Sequence, residues 1–161
     1  GTGTGTMSQM TMRFGEVMKL TANSFTKTGY SFSKWSGSNG TYYDNNSEVS
    51  NLTTTNGNTI IMTATWSGNK YTVTLNANGA TSTNHTTSVS VTYDAAMPSI
   101  VIPSRSLVVS YNANMGNVNP TSSSAVSKFN GYNIDNVQYY NSTGGSVRTW
   151  NKAANATLTA K

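Results

Sequence analysis

The chain of 161 residues carries ten Lys and Arg, five Asp and Glu and no cysteine, for a formal net charge of +5. Only 9% of it is charged, against roughly 25% in an average soluble protein; Ser, Thr and Asn supply the polar surface, residue types at home in turns and on exposed strand faces. The lack of cysteine excludes disulfide staples, thiolate chemistry and cysteine-bound zinc, the scatter of the basic residues argues against nucleic acid as a partner, and no apolar run approaches the roughly 20 residues of a membrane-spanning helix.

The first residues, Gly1-Thr-Gly-Thr-Gly-Thr6, read as a turn. Lys27-Thr-Gly29-Tyr30-Ser-Phe32-Ser-Lys-Trp35 follows, closed by the turn signal Ser36-Gly-Ser-Asn39-Gly40. Tyr42-Tyr43 leads into the polar turn Asp44-Asn-Asn-Ser-Glu48, and Asn56-Gly57 marks another. Ile60, Met62, Ala64 and Trp66 share one parity, and a boundary is expected at Ser67-Gly68-Asn69.

Beyond it, Tyr71-Thr-Val73-Thr-Leu75-Asn-Ala77 alternates strictly and stops at Asn78-Gly79. Ser88-Val89-Ser90-Val91-Thr92-Tyr93 alternates likewise, and Asp94-Ala-Ala-Met97 has the makings of one helical turn. Leu107, Val109 and Tyr111 mark a further strand, and Gln138-Tyr139-Tyr140 another. A period of two marks half-buried strands. No long helical pattern occurs, so the expected fold is mainly β, α+β at most.

The chain also repeats itself. Val73-Thr-Leu75-Asn-Ala77-Asn-Gly79 recurs as Val109-Ser-Tyr111-Asn-Ala113-Asn-Met-Gly116, and Met12 to Met18 parallels Val91 to Met97. Phe32-Ser-Lys-Trp35 parallels Phe129-Asn-Gly-Tyr132; Tyr42-Tyr43 parallels Tyr139-Tyr140; Met62-Thr-Ala-Thr-Trp66 parallels Leu158-Thr-Ala160-Lys161. Landmarks in one order in both halves mean copies of a module. Residues 1–67 form an incomplete first module, without an opening strand like Tyr71 to Ala77. Residues 68–161 form a second, with that strand duplicated.

These landmarks resemble the Listeria–Bacteroides repeat, the B-repeat family of internalin-type bacterial surface proteins. That family runs from an opening strand like Tyr71 to Gly79, through an aromatic-glycine strand like Phe14-Gly15 and a Lys27-Thr-Gly29-Tyr30-x-Phe32-x-x-Trp35 motif, to a closing Ala-x-Trp such as Ala64-Thr-Trp66. The second copy departs from it: Tyr132 stands for the tryptophan, and no Thr-Gly-Tyr precedes Phe129. The resemblance implies small β-grasp-like modules in the extracellular part of a multi-repeat protein. It implies that the motif residues (Phe14, Gly15, Gly29, Tyr30, Phe32, Trp35, Trp66, Gly79, Phe129 and Tyr132) are structural, with no catalytic residue, metal or cofactor. No signal peptide opens the sequence, so a secreted protein is represented here by a mature or excised segment.

Side chains outside the motifs read blandly. His85, the only histidine, sits in a polar loop, where neither a triad nor a histidine zinc site can form. Asp44 and Glu48 are the one close acidic pair, and a turn is the simpler reading than calcium ligation. The five Asn-x-Ser/Thr sequons, from Asn45, Asn51, Asn84, Asn141 and Asn155, arise readily in a Thr- and Asn-rich chain. Most aromatics are expected to pack. Successive strand side chains face opposite ways, so one tyrosine of Tyr42-Tyr43 and one of Tyr139-Tyr140 should be exposed, and these are the candidate contact residues. The first module's missing strand leaves an open sheet edge, explained either by a cut through a longer repeat protein or by a strand from another chain. The expected partners are therefore neighbouring repeats or identical subunits through that edge, with a host protein or glycan as the alternative. The expected role is a non-catalytic spacer, adhesin stalk or self-assembling fibre unit at the bacterial surface; the alternative is a ligand-binding adhesion module.

Overall fold

A computed structural model describes residues 3–105 and 128–161. The chain divides into two compact units, Gly1–Asn69 and Lys70–Lys161. The fold is mainly β: the described residues form ten strands in three sheets and no helix.

In the first unit, β1 (Met18–Lys19) pairs with β4 (Glu48–Val49) as a short antiparallel ribbon. β2 (Tyr30–Gly37) is the middle of an antiparallel sheet, between β3 (Tyr42–Tyr43) and β5 (Met62–Gly68). Trp35 is the buried anchor: it faces Tyr43 across one side of β2 and Ala64 across the other. Strict alternation would set Phe32 and Trp35, three apart, on opposite faces. A register shift between them adds a residue to β2, as a bulge does, and brings both rings to the core side, 4.9 Å apart between centroids. Phe25 meets the indole edge-on at 6.1 Å, an arrangement favoured by the ring quadrupoles. Leu20 and Val49 complete the buried set.

In the second unit, β6 (Lys70–Asn76) and β7 (Ser88–Thr92) form an antiparallel hairpin. β8 (Tyr132–Ile134) and β9 (Val137–Tyr140) form another. β10 (Ala156–Ala160) runs between them, parallel to β6 and antiparallel to β8, so the sheet order is β7-β6-β10-β8-β9. Alternation decides the faces. Val73, Leu75, Val91, Leu158 and Ala160 point into the core, while Thr72, Thr74, Asn76, Ser88, Ser90 and Thr157 stay exposed. The expected further strand through Leu107, Val109 and Tyr111 lies outside the described residues.

Three local findings differ from the sequence reading. The strand that the resemblance implies at Phe14-Gly15 is a turn instead, with Phe14 exposed and therefore not packed. The turn after β7 is not helical: Asp94 takes φ 60 and Ala95 N–H donates to the Thr92 carbonyl at 3.0 Å, a tight reversal that a short polar side chain tolerates. Tyr139 and Tyr140 are both buried. Tyr140 lies on the core side, where its hydroxyl donates to the Pro98 carbonyl at 2.8 Å and burial pushes its pKa up to about 12. The opposite side of β9 is covered because the chain folds back: Val147 N–H donates to the Tyr139 carbonyl at 3.0 Å, and the buried Trp150 packs 5.3 Å from the Tyr139 ring.

Gly131 precedes β8 at φ 127, and a Cβ there would run into the Tyr140 carbonyl and the Gln138 amide. Both the conformation and the space demand glycine. Gly131→Ala should destabilise the second unit by roughly 3 kcal/mol, read from the chemical denaturation midpoint. A change within experimental error would show that the close approach is not real.

Candidate functional site

The two units share a three-strand frame with the same anchor pairing, although β8–β9 shifts register after Tyr132 where β2–β3 runs on in step. Trp35 on β2 faces Tyr43 on β3 and Ala64 on β5. Tyr132 on β8 faces Tyr140 on β9 and Ala160 on β10. Phe129 stacks edge-on against Tyr132 at 5.2 Å, in the place that Phe32 takes beside Trp35. These positions are the ones the internal repetition equates. By that equivalence β5 corresponds to β10, Met62 to Leu158 and Ala64 to Ala160.

What differs is the far side of the closing strand. β10 is paired on both edges, with β6 on one and β8 on the other. Among the described residues β5 pairs only with β2 and so ends its sheet. Backbone groups along a strand point alternately to its two edges. Ser38 N–H donates to the Ile61 carbonyl and Asn69 N–H to the Gly29 carbonyl, both at 2.9 Å. Positions 61, 63, 65, 67 and 69 therefore address β2. Met62, Ala64 and Trp66 turn their N–H and C=O groups to the open edge. In the second unit the same parity holds: Lys161 N–H donates to the Gly131 carbonyl at 3.0 Å, towards β8, so Leu158 and Ala160 address β6.

The cores differ in step. Leu158 is 0% and Ala160 7% exposed, whereas Met62 and Ala64 are only half-buried. Trp66 is half-buried as well, edge-on to Phe32 at 6.0 Å. Natural edge strands are usually guarded by charges, proline, bulges or brevity. β5 is seven residues long, and Thr59-Ile-Ile-Met-Thr-Ala-Thr-Trp66 holds neither a charge nor a proline. Ile61, just before β5, is 65% exposed. The sequence reading expected an open edge in the first module, from its missing opening strand, and sought side-chain contacts in tyrosines; among the described residues that edge is β5. The uncharged run from Thr59 to Gly68 was the signal that marks it.

The expected site residues fall as follows. Tyr42 is exposed and Tyr43 half-buried, its hydroxyl accepting from Asn39 Nδ2 at 2.7 Å. Tyr139 and Tyr140 are buried and are removed from the candidate contact residues. Phe14 is 76% exposed, carried by a turn in which Gly15, at φ 81, donates to Asn51 Oδ1 at 2.6 Å. Gly29 is buried and also takes a left-handed conformation, φ 80, leading into Tyr30, over whose ring the Lys27 ammonium sits at 4.0 Å. Gly79 supplies the left-handed turn, φ 78, after β6. His85 is half-buried in a bend, its Nδ1 2.9 Å from the Ser82 carbonyl. Asp44 accepts from Lys34 at 2.8 Å, and Glu48 lies opposite Lys19 in the β1–β4 ribbon. Among the described residues no three His, Cys, Asp or Glu side chains gather as metal ligands do. A shallow depression of about 450 Å³ with a mixed polar and apolar lining lies on the second unit, between Asn78, Asn133, Ile134, Asp135, Thr157 and Thr159.

Compared with known proteins, the chain matches no family model, no curated protein and no solved structure.

Exposure separates the two tyrosine pairs experimentally. Tyr139→Ala removes a fully packed ring and should cost about 3–5 kcal/mol. Tyr42→Ala should fall within about 0.5 kcal/mol of the parent. Equilibrium denaturation of both variants checks this; equal losses would contradict the assigned burial.

Proposed function

We propose that the chain is a non-catalytic repeat segment of an extracellular bacterial surface protein, acting as a spacer, adhesin stalk or self-assembling fibre unit made of small β-grasp-like modules. The observation that carries the reading is the recurrence of one pairing, Trp35 with Tyr43 and Ala64, as Tyr132 with Tyr140 and Ala160. A cross-strand register that repeats along a chain is what duplication of a module leaves behind. The strand order of the second unit supports the β-grasp reading: its first and last strands lie parallel at the sheet centre, each beside its own antiparallel neighbour.

The surface chemistry favours the same role. The exposed face of the second unit's sheet is a carpet of Ser, Thr and Asn with few charges, which keeps a long array soluble without strong fields between neighbours. Stacked small modules interact mainly with the next in line and give length and stiffness. The competing reading, a module that binds a host protein or glycan, has the exposed Tyr42 beside the polar Ser36 and Thr63 as its observation.

Antibodies raised against the chain should label intact cells of the organism that makes it, without permeabilisation. Labelling confined to permeabilised cells would overturn the surface assignment. Saturable binding of the chain to a host protein or glycan, lost in Tyr42→Ala, would favour the competing reading instead.

A further inference from the structure

We infer that the open edge of β5 is a docking site for one kind of partner: an extended strand with the β6 pattern, Val-Thr-Leu-Asn-Ala-Asn-Gly, supplied by another repeat and added parallel to β5. The inference deepens the repeat reading, because it rests on the equivalence of β5 with β10. It does not depend on where the protein resides.

Three observations converge on it. The closing strand of the second unit carries such a partner, and its register is known: Ala156 opposite Val73, Thr157 opposite Thr74 and Leu158 opposite Leu75. The first unit offers the matching backbone groups at Met62, Ala64 and Trp66, with no described strand along them. Its core side is unfinished at the same place, since Met62 and Ala64 are half-buried where Leu158 and Ala160 are closed over. An added strand of the β6 type would fill both deficits together. Its Val and Leu side chains would lie over the core beside Met62, and its Thr residues would face outward, as Thr72 and Thr74 do. Transferring the register puts Val73 of the incoming strand opposite Ile60 and Leu75 opposite Met62.

Chemistry selects the occupant. Neither the run Thr59–Trp66 nor the segment Tyr71–Gly79 bears a charge, so no repulsion opposes the pairing, and a charged strand would have to desolvate its side chains against Met62 and Ala64. The chain itself carries a second segment of the pattern, Val109-Ser-Tyr111-Asn-Ala113-Asn. A second copy is therefore one source of the strand. Main-chain hydrogen bonds along the edge supply affinity, and alternate side chains over the core supply specificity.

The hydrogen-bond parity of β6 provides a sharp test. Leu75 N–H donates to the Thr87 carbonyl, away from β10, so Thr72 and Thr74 are the residues that address the closing strand. A synthetic peptide of residues 70–80 is added to the dilute full-length chain. Binding is followed by tryptophan fluorescence and by amide exchange at Met62 and Ala64. Saturable binding with protection of those two amides is expected. Methylation of the peptide nitrogen at Thr74 should weaken binding at least tenfold, whereas methylation at Leu75 should change it less than threefold. No binding, binding insensitive to the methylation site, or a dilute chain already protected at Met62 and Ala64 would each overturn the proposal. The surface-labelling result is independent of all three, so failure here and failure of the cellular assignment are read separately.

Discussion

The backbone ladder between β6 and β10 organises the second unit. The two strands come from opposite ends of the unit and run parallel, with Val73, Leu75 and Leu158 fully or almost fully closed over at their junction. Parallel strands cannot be joined by a tight turn, so everything between them is the connection that brings the chain back. Once β10 is seated beside β6, its other edge is free to take β8, and the hairpin β8–β9 follows. Trp150 and the residues before it then wrap over β9, burying Tyr139. Without the parallel ladder the two hairpins would have no common neighbour.

The first unit shows how much of the frame stands without that ladder. β2, β3 and β5 keep the anchor pairing of their counterparts, with a tryptophan in place of Tyr132 at the centre. The larger indole gathers Phe25 and Phe32 around it. Fully burying an apolar side chain is worth roughly 1.5–3 kcal/mol, so three buried residues, Leu20, Trp35 and Val49, make a thin core beside the ten of the second unit. The half-buried Met62, Ala64 and Trp66 are where the difference lies.

Much of this was legible in the residues. The period of two assigned inner and outer faces along β6 and β7 correctly, because uninterrupted strands obey the pleat. The internal repetition equated Trp35 with Tyr132, Tyr43 with Tyr140 and Ala64 with Ala160, and all three recur as cross-strand partners. Three features were not legible, each for a physical reason. The bulge that sets Phe32 and Trp35 on one face breaks the period that sequence reading relies on. The burial of both Tyr139 and Tyr140 comes from a segment folding back over β9, a tertiary contact with no local signature. The open edge itself follows from the first module's missing strand, but that Met62 and Ala64 turn their backbone groups to it depends on the pairing parity of β2 with β5, which neither hydrophobicity nor motif spacing shows.

Native-state amide exchange of the dilute chain, resolved by residue, tests most directly whether β5 is an unpaired β10. Thr63 and Thr65, which address β2, should be protected, while Met62 and Ala64 exchange at close to unstructured rates. In the second unit Leu158 and Ala160 should be protected as strongly as Thr159. Equal protection of Met62, Thr63 and Ala64, or rapid exchange at Leu158 and Ala160, would contradict the account.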